Sequence, residues 1–582
     1  MFALLVPGRS RLLMRVVPGR SRLLARVGLI VTSAAVLAGC GSSHSRATAA
    51  DPAIAVPASA ALFADANVRP DGAVKTAALA AGEALTHQAD PYLRLLGALQ
   101  TPGSPQLRFK DVEGWLGPNA GVFLSSLRSA GALLTLIEQG LLGSSGAPVA
   151  FPFANGGAQG AILLDTSNLG KAQEFIDAQA ARAGAHPVNY RGISYRATAA
   201  GVALALVQRM VVIGSESGVR AVIDTSLGGA SLAHTGGYSK LLAAAPAGAL
   251  GHLYSNPPAG TGSAGGEAPS SLLGLLTGGA EANVSILAGA GSLTLDADTL
   301  GAGKGLLAND PEGAKALAEL PGESWLAIGL GHLASSLNGD VQGLQALASL
   351  GSRPGVTSAQ GSSGASLSVA SIVGALTEPL KLMGAQDAQA KKAFASWIGS
   401  AGIYASGGSL LELRAAVVIA SQSPALSRAA VPKLAAELRK AGGSVRQVSI
   451  PGTEAAVGVA LKGLPVVLDI ADGRDSAGQT KFVLGFGEAS VQAALAPQGT
   501  LAGAATRSAA SAVLGAGTEP TLILDVPTLI SLLEGVGLTE DPSISGFVPY
   551  LRALGTISGG GRELGAGVQR FRLVLGLQQA SG

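Results

Sequence analysis

Hydrophobic and polar residues alternate, or nearly alternate, in several short runs along the chain. The clearest runs cover residues 193–197, 202–207, 455–461 and 571–577. A period of two places successive side chains on opposite faces of an extended chain, so these runs predict strands. Neighbouring runs separated by short turns further predict hairpins in antiparallel sheet.

Other segments carry apolar residues at helical spacing, directly after apolar runs that are too short for helices. Residues 161–164 predict a buried strand, and residues 169–182 then predict a helix with Phe175 on its inner face. Residues 413–419 and 426–438 repeat this pair farther along the chain. Because strands are grouped together and helices are set apart from them, the pattern favours an α+β fold over a doubly wound one.

Several sequence landmarks recur in the same order in the two halves of the chain. Trp115 is followed by Leu-Gly and Trp397 by Ile-Gly, and each lies shortly after a phenylalanine, Phe109 or Phe394. Three further pairs recur around them: Pro57 and Pro321, the apolar runs 210–214 and 482–485, and Pro246 and Pro520.

These recurrences predict two homologous α+β halves, each with an antiparallel sheet and packed helices. The halves cover residues 57–308 and 321–582 and are joined around residues 309–311. Since each sheet must bury an apolar face, we expect the two similar sheets to pack against each other.

Composition indicates a folded chain of more than one domain. The 582 residues exceed the size at which a single core usually stops growing. Hydrophobic residues make up 48% and charged residues 13%, the opposite of the balance that keeps a chain disordered.

Charge separates the first 39 residues from the rest. They carry six arginines and no acidic residue, whereas the remainder has 34 basic and 37 acidic residues, a net charge of −3. No basic stripe with interleaved aromatic residues remains in that part, so nucleic-acid binding has little support.

The first 39 residues have the three-part layout of a secretory signal peptide. The basic segment precedes an apolar stretch, 27–37, which is shorter than the roughly 20 residues of a membrane-spanning helix. An octapeptide at 6–13 recurs at 17–24, with Met14 between the copies. Translation from Met1 and translation from Met14 are therefore both open.

The residues Leu37-Ala38-Gly39-Cys40 resemble the bacterial lipobox. The resemblance implies cleavage before Cys40 and a diacylglyceryl group on its thiol, which would hold the protein at the extracytoplasmic face of a bacterial membrane through a durable acyl anchor. Residues 40–56, rich in Ser and Ala, predict a flexible tether. The alternative is a plain signal peptide followed by an unmodified thiol, although this single cysteine has no partner for an internal disulfide.

Three landmarks resemble a bacterial family of exported proteins catalogued as domain of unknown function 3352, or DUF3352. They are a proline-led strand near the mature start, Phe-Lys-Asp-Val at 109–112 before Trp-Leu-Gly at 115–117, and a Val-Val-Ile-Gly turn at 211–214. The resemblance covers nearly all of the mature chain. It implies a bacterial origin and an envelope location, and it brings no known activity or catalytic residue.

Motifs for nucleophilic or phosphate chemistry are incomplete. Residues 214–218 approach Gly-x-Ser-x-Gly, but Glu216 occupies the nucleophile position. We expect a strand-to-helix turn there, with Ser215 or Ser217 capping the helix. Residues 301–305 superficially resemble a phosphate-binding loop, but they lack the first Gly and the final Ser or Thr of that motif.

The sequence predicts no metal site and no cofactor. The six histidines are scattered without a His-x-x-x-His pair. We expect His252 to be a hydrogen-bonded surface residue. Asp296 and Asp298 form an Asp-x-Asp pair, but no third ligand and loop glycine of a calcium site follow.

Trp115 and Trp397 admit two interpretations. Each occupies an equivalent position in the repeat, so they could be a pair of ligand-stacking aromatic residues. We expect them instead to be core anchors, one in each half, because large aromatic side chains dominate core packing.

The favoured function is a membrane-anchored, non-catalytic envelope lipoprotein that acts through binding or structure, with no assigned ligand-binding residue or protein partner. A variant is a carrier of an apolar ligand such as lipid. The second possibility is an envelope enzyme whose site is assembled from distant residues, with Glu216, Asp224, His234 and Tyr238 as weak candidates. A solute-binding component of an importer is disfavoured, because the pattern is rich in hairpins.

Overall fold

The chain folds around antiparallel β-sheet with helices packed on it. The computed structural model describes residues 51–86, 112–126, 151–256, 280–301, 310–331, 333, 392, 394–409, 411–440, 442–460, 467–535, 537, 539, 545 and 548–578. Twenty strands and ten α-helices lie within these residues, so the architecture is α+β as the hydrophobic pattern predicts. No helix of the described residues is both long enough and apolar enough to cross a membrane.

Ten strands lie in the first half of the described chain. In chain order they are β1 Leu62–Asn67, β2 Leu116–Leu124, β3 Gly160–Thr166, β4 His186–Tyr190, β5 Ile193–Ala197, β6 Val202–Val207, β7 Met210–Ser215, β8 Gly251–Ser255, β9 Ala282–Gly289 and β10 Ser292–Leu300. Their antiparallel pairing gives the spatial order β4-β5-β6-β7-β3-β2-β1-β8-β9-β10.

Ten further strands follow in the second half. They are β11 Leu326–Leu330, β12 Ile398–Ser406, β13 Arg414–Ser421, β14 Ser444–Gln447, β15 Thr453–Ala460, β16 Val467–Arg474, β17 Thr480–Phe486, β18 Glu519–Asp525, β19 Leu554–Gly565 and β20 Val568–Leu577. Their order is β14-β15-β16-β17-β13-β12-β11-β18-β19-β20. Each strand therefore holds the same place in its half as the strand ten earlier in the chain.

The two sets of strands form one continuous sheet. Strands β10 and β20 pair antiparallel over nine residue pairs, from Ser292 opposite Gly576 to Leu300 opposite Val568. The expectation of two sheets packed face to face is therefore wrong. The ladder between β10 and β20 satisfies the backbone groups of strands that would otherwise be exposed edges, which is a physical reason for the side-by-side arrangement.

Helices cover both faces of the sheet, and several follow equivalent strands. They are α1 Gly72–Thr86, α2 Leu169–Arg182, α3 Glu216–Ser226, α4 Gly236–Ala244, α5 Pro311–Ala318, α6 Pro424–Lys440, α7 Glu488–Leu495, α8 Ala505–Leu514, α9 Val526–Gly535 and α10 Val548–Arg552. Helices α3 and α4 share one apolar cluster with the first half of the sheet, and α5, α7 and α8 share another with the second. Helices α2 and α6 contribute to the clusters on the opposite face.

Local patterning predicted several of these elements closely. The alternating runs at 193–197 and 202–207 are strands β5 and β6, and the apolar run at 413–419 lies in β13 apart from its first residue. The helical spacing at 169–182 coincides with α2, while 426–438 is the central part of α6. In each case one buried face imposes the period that the sequence displays.

Candidate functional site

The near-motif at 214–218 is a capped helix start, as expected. The Gly218 amide donates to the Ser215 hydroxyl oxygen at 3.1 Å, which makes Ser215 the N-cap of α3. A Cβ atom on Gly218 would clash with the carbonyl of Gly160. Gly218 and Ser215 therefore have structural roles in this turn.

The four weak catalytic candidates have separate hydrogen-bond environments. Glu216 accepts hydrogen bonds from the Tyr195 hydroxyl and the Arg220 guanidinium, at 2.5 and 2.6 Å. Asp224 accepts from Tyr190 and Arg191, and His234 shares a hydrogen bond with Ser231 at 2.7 Å. The Tyr238 hydroxyl has no hydrogen-bond partner among the described residues. In the described part of the chain these groups form no hydrogen-bonded relay.

Trp115 and Trp397 are core residues. Their exposed fractions are 2% and 3%, which excludes stacking on a ligand from solvent. The Trp115 ring lies 4.9 Å from that of Phe175. The Trp397 ring lies 5.2 Å from Phe394 and 5.1 Å from Phe482.

Asp296 and Asp298 meet two arginines across the ladder that joins the halves. Arg572 donates to both carboxylate oxygens of Asp296 at 2.7 Å, and Arg570 donates to both oxygens of Asp298 at 2.7 and 2.8 Å. Burial raises the pKa of Asp298, although the Arg570 guanidinium opposes that shift.

The same two arginines also hold the ends of two equivalent helices. Arg570 donates to the carbonyl oxygen of Ala244 at the end of α4, and Arg572 donates to that of Leu514 at the end of α8. A cation suits the partial negative charge of a helix C-terminus. We name the four side chains Asp296, Asp298, Arg570 and Arg572 the seam.

The remaining expectations concern His252, metal binding and Cys40. His252 lies on β8 as a half-buried residue rather than a surface one, and its Nδ1 is 3.1 Å from the hydroxyl of the buried Ser285. Within the described ranges no group of three His, Cys, Asp or Glu residues is placed to hold a metal ion. Cys40, the predicted signal peptide and residues 40–50 of the predicted tether lie outside the described residues. The end of the predicted tether is not flexible: Pro52–Ile54 form a 3-10 helix, and Ala53, Ala55 and Val56 are buried in an apolar cluster.

An open cavity of about 1100 Å³ lies between α8 and the sheet of the second half. Its volume lies slightly above the roughly 300–1000 Å³ typical of small-molecule pockets. Thr506, Ala509 and Val513 line it from α8, and Ile523 and Val574 line it from the sheet.

A second cavity of about 560 Å³ adjoins the first. Gly322, Glu323 and Arg414 line both cavities, so the two meet at these residues. Arg414 and Glu323 form an ion pair at 3.1 Å with largely exposed side chains. We name the two cavities together, with the ion pair between them, the groove.

Three aromatic residues of the first half have non-aromatic counterparts in the second half, one of which lines the larger cavity. An isolated bridge between Pro57 and Ser231 corresponds to one between Pro321 and Thr500, and these bridges set the alignment. Phe63 lies six residues after Pro57, as Ala327 lies six residues after Pro321, so these two positions correspond. By the same kind of count from Ser231 and Thr500, Tyr238 corresponds to Arg507. Strand register then matches Tyr254, opposite Phe63, to Ile523, opposite Ala327.

The three first-half rings pack tightly together. Tyr238 lies 5.2 Å from Tyr254 and 6.1 Å from Phe63 in edge-to-face contacts, and all three residues are at most 2% exposed. Of the three counterparts, Ile523 lines the larger cavity, and Ala327 and Arg507 do not. Ala327 is fully buried in an apolar cluster that includes Tyr404. Among these three positions, the difference between the halves at the cavity is therefore confined to that of Tyr254 and Ile523.

Hydroxyl residues are the most numerous polar residues in the lining of the larger cavity: Ser292, Ser324, Ser406, Thr506, Thr528, Thr556 and Ser558. Ser324, Ser406 and Ser558 are at most 2% exposed, and the Ser324 and Thr528 hydroxyls already donate to Pro321 and Asp525. Two lining residues, Ser406 and Trp325, carry a buried polar atom, Oγ and Nε1, without a hydrogen-bond partner in the described part of the chain. Leaving such an atom unpaired costs free energy that a bound partner would recover.

Sequence reasoning did not find the groove. Trp325 lies beside the repeated proline landmark, but nothing in the local pattern marks it as different from a core tryptophan. The residues that line it come from distant parts of the chain, and only the fold brings them together.

Comparisons with known proteins identify a family and little else. A family model described as protein of unknown function (DUF3352) matches residues 26–372. Among curated proteins no significant match is found. A solved structure titled "Structure of crystal form I of TP0453" is 8% identical, covers 44% of this chain and 80% of that chain, and has a TM-score of 0.23. A likeness that weak carries no argument about fold or function.

Proposed function

The chain belongs to the DUF3352 family of proteins of unknown function, and on that premise we propose that it is a lipid-anchored envelope protein that binds a ligand in its groove without catalysing a reaction. The single observation that carries the binding role is the open cavity of about 1100 Å³ between α8 and the sheet of the second half. Where α4 meets the sheet of the first half, three aromatic rings pack together instead.

An internal duplication is part of the proposal. Its support is the shared order of ten strands in each half, together with the matching bridges at Pro57 and Pro321. Duplication would let one copy keep a filled core while the other changed its lining. A binding site would then be gained without unfolding both halves.

The lipid anchor rests on the residues around Cys40. A Leu-Ala-Gly-Cys sequence at the end of a basic and apolar leader is the arrangement that lipid attachment requires in the lipobox family. Changing Cys40→Ser should abolish incorporation of radiolabelled palmitate into the protein, because no acyl chain can then be attached. Metabolic labelling followed by immunoprecipitation measures this, and equal labelling of both proteins would refute the anchor.

A carrier of lipid has less support than a carrier of a polar ligand. The larger cavity is open and is lined by seven hydroxyl residues, whereas an acyl chain favours an enclosed apolar lining. An enzyme has little support as well, since the candidate residues Glu216, Asp224, His234 and Tyr238 make separate contacts.

Thermal unfolding of the mature chain tests the binding role. A ligand that binds only the folded chain raises its Tm by mass action. We expect an extract of the bacterial envelope, separated into aqueous and organic fractions, to raise the Tm of the Cys40→Ser protein. An Ala509→Trp change fills the groove from the exposed surface of α8 and should abolish the shift.

A matched control lies on the same helix. Ala512 is also exposed but does not line either cavity, so Ala512→Trp should leave the shift intact. A shift of equal size in both variants, or no shift in the unchanged groove, would contradict binding at this place.

A further inference from the structure

We propose that the groove binds a neutral oligosaccharide, an elongated chain of hydroxyl-bearing rings that crosses the Glu323–Arg414 ion pair. This inference rests on the proposed function and deepens it by naming the chemical class of the ligand. Shape, charge and hydrogen-bonding capacity each contribute to it.

The shape of the groove fits an elongated ligand. Two cavities of about 1100 and 560 Å³ meet at residues that they share. A single small molecule would occupy one of them. A linear oligomer would fill both and pass over the exposed ion pair at their junction.

The charge of the groove disfavours anionic ligands. Glu323, Glu412 and Asp525 line it, with Arg414 as the one cationic lining residue of the two cavities. Arg414 already pairs with Glu323, and Asp525 accepts a hydrogen bond from Thr528 at 2.7 Å. With Arg414 already paired, the described lining offers little positive charge to a phosphate or carboxylate. Thr528 is a neutral donor and leaves the charge of Asp525 in place, so the described lining has a net charge of −2 and a cationic peptide is the competing ligand class.

The hydrogen-bonding groups of the lining match sugar hydroxyls. Serine and threonine hydroxyls both donate and accept, as do the hydroxyls of a sugar. The Ser406 Oγ and the Trp325 Nε1–H are fully buried and unpaired within the described ranges, so sugar hydroxyls can pair with them only if the cavity wall opens locally. Trp325 packs partly against an apolar cluster, and the exposed part of its indole offers an apolar surface for the carbon-bound hydrogens of a ring.

The smaller cavity continues this chemistry. Apart from the shared ion pair its lining carries no charge, and Gln492 and Gln498 supply amide groups that donate and accept. Both cavities therefore present neutral polar groups beside small apolar ones. A chain of neutral sugars offers the complementary mixture along its whole length.

Isothermal titration calorimetry with two neutral hexasaccharides, maltohexaose and chitohexaose, tests the ligand class on the Cys40→Ser protein. We expect saturable binding of at least one of them. Ala509→Trp should weaken that binding at least about tenfold, equivalent to 1.4 kcal/mol, whereas Ala512→Trp should leave it unchanged. Trp325 is the one tryptophan outside the buried pair Trp115 and Trp397, so its fluorescence provides a second readout of occupancy.

The outcomes separate the ligand class from the binding role. Binding of hexalysine or oleate, but of neither hexasaccharide, with sensitivity to Ala509→Trp would overturn the sugar and leave the groove as a binding site. The same conclusion follows if the envelope extract raises the Tm through the groove while both hexasaccharides fail. Hexasaccharide binding that is identical in both tryptophan variants would overturn the site itself. Unchanged unfolding curves of the ligand-free variants show that each is folded.

Discussion

At the scale of single residues, most of the side chains that the sequence marks as candidates for chemistry have structural roles in the folded chain. Ser215 caps a helix, Trp115 and Trp397 fill cores, and Asp296 and Asp298 form ion pairs. Such assignments depend on burial and on partners far away in sequence. Substitution of single side chains tests these assignments.

Trp397 should be a major contributor to the stability of the second half. Trp397→Ala removes a ring that is 3% exposed and contacts Phe394 and Phe482. A cavity of this kind costs about 3–5 kcal/mol, measured as the loss of unfolding free energy in urea. Trp325→Ala, at a partly exposed position, should cost clearly less, and equal losses would argue against the core assignment of Trp397.

The buried Asp469 makes the free energy of unfolding depend on pH. Burial, with a smaller contribution from Glu488, raises the pKa of Asp469 to about 6, and Arg446 opposes the shift. Because the folded chain holds this proton more tightly than the unfolded chain, the free energy of unfolding falls as the pH rises from about 4 to about 6 and stays lower above that.

Asp469→Asn removes this titration. Between pH 4 and pH 8 the variant should therefore gain about 1–3 kcal/mol relative to the unchanged protein. Urea unfolding of both proteins at the two pH values measures the difference, and all other titrating groups cancel in the comparison. A difference that does not change with pH would show that Asp469 is ionised in the folded chain without cost.

At the scale of elements, the join between β10 and β20 organises the sheet. These two strands hold the same place in their halves, yet one carries two aspartates and the other two arginines at facing positions. Identical residues on both strands would set like charges against each other. The complementary pairs instead favour pairing of β10 with β20, and each arginine also holds the end of a helix.

The seam should show strong coupling in a double-mutant cycle. Asp298→Leu leaves Arg570 buried without its bidentate partner, with Asp296 still 3.3 Å from its Nη1, and Arg570→Met leaves Asp298 buried without its cation. Each single change should cost about 3–5 kcal/mol of unfolding free energy, while the double change should cost less than the sum of the two. Additive losses would mean that the pair contributes no specific interaction.

At the scale of the whole molecule, the hydrophobic pattern could predict elements but not their assembly. Strands β5 and β6 and helix α2 follow from local periodicity, because one buried face repeats every two or 3.6 residues. The pairing of β10 with β20 joins residues more than 270 positions apart, and no local pattern specifies it. The larger cavity is lined by residues from Ala290 to Leu577, and only the folded sheet brings those positions together.

Hydrogen–deuterium exchange compares the two halves within one molecule and tests ligand binding in the open half most directly. The mature Cys40→Ser chain is measured with and without the envelope fraction that raises its Tm. The account predicts added protection in α8 and at residues 322–325, with no change in α4, the equivalent helix over the filled half. Equal protection of α4 and α8, or protection confined to the first half, would contradict it.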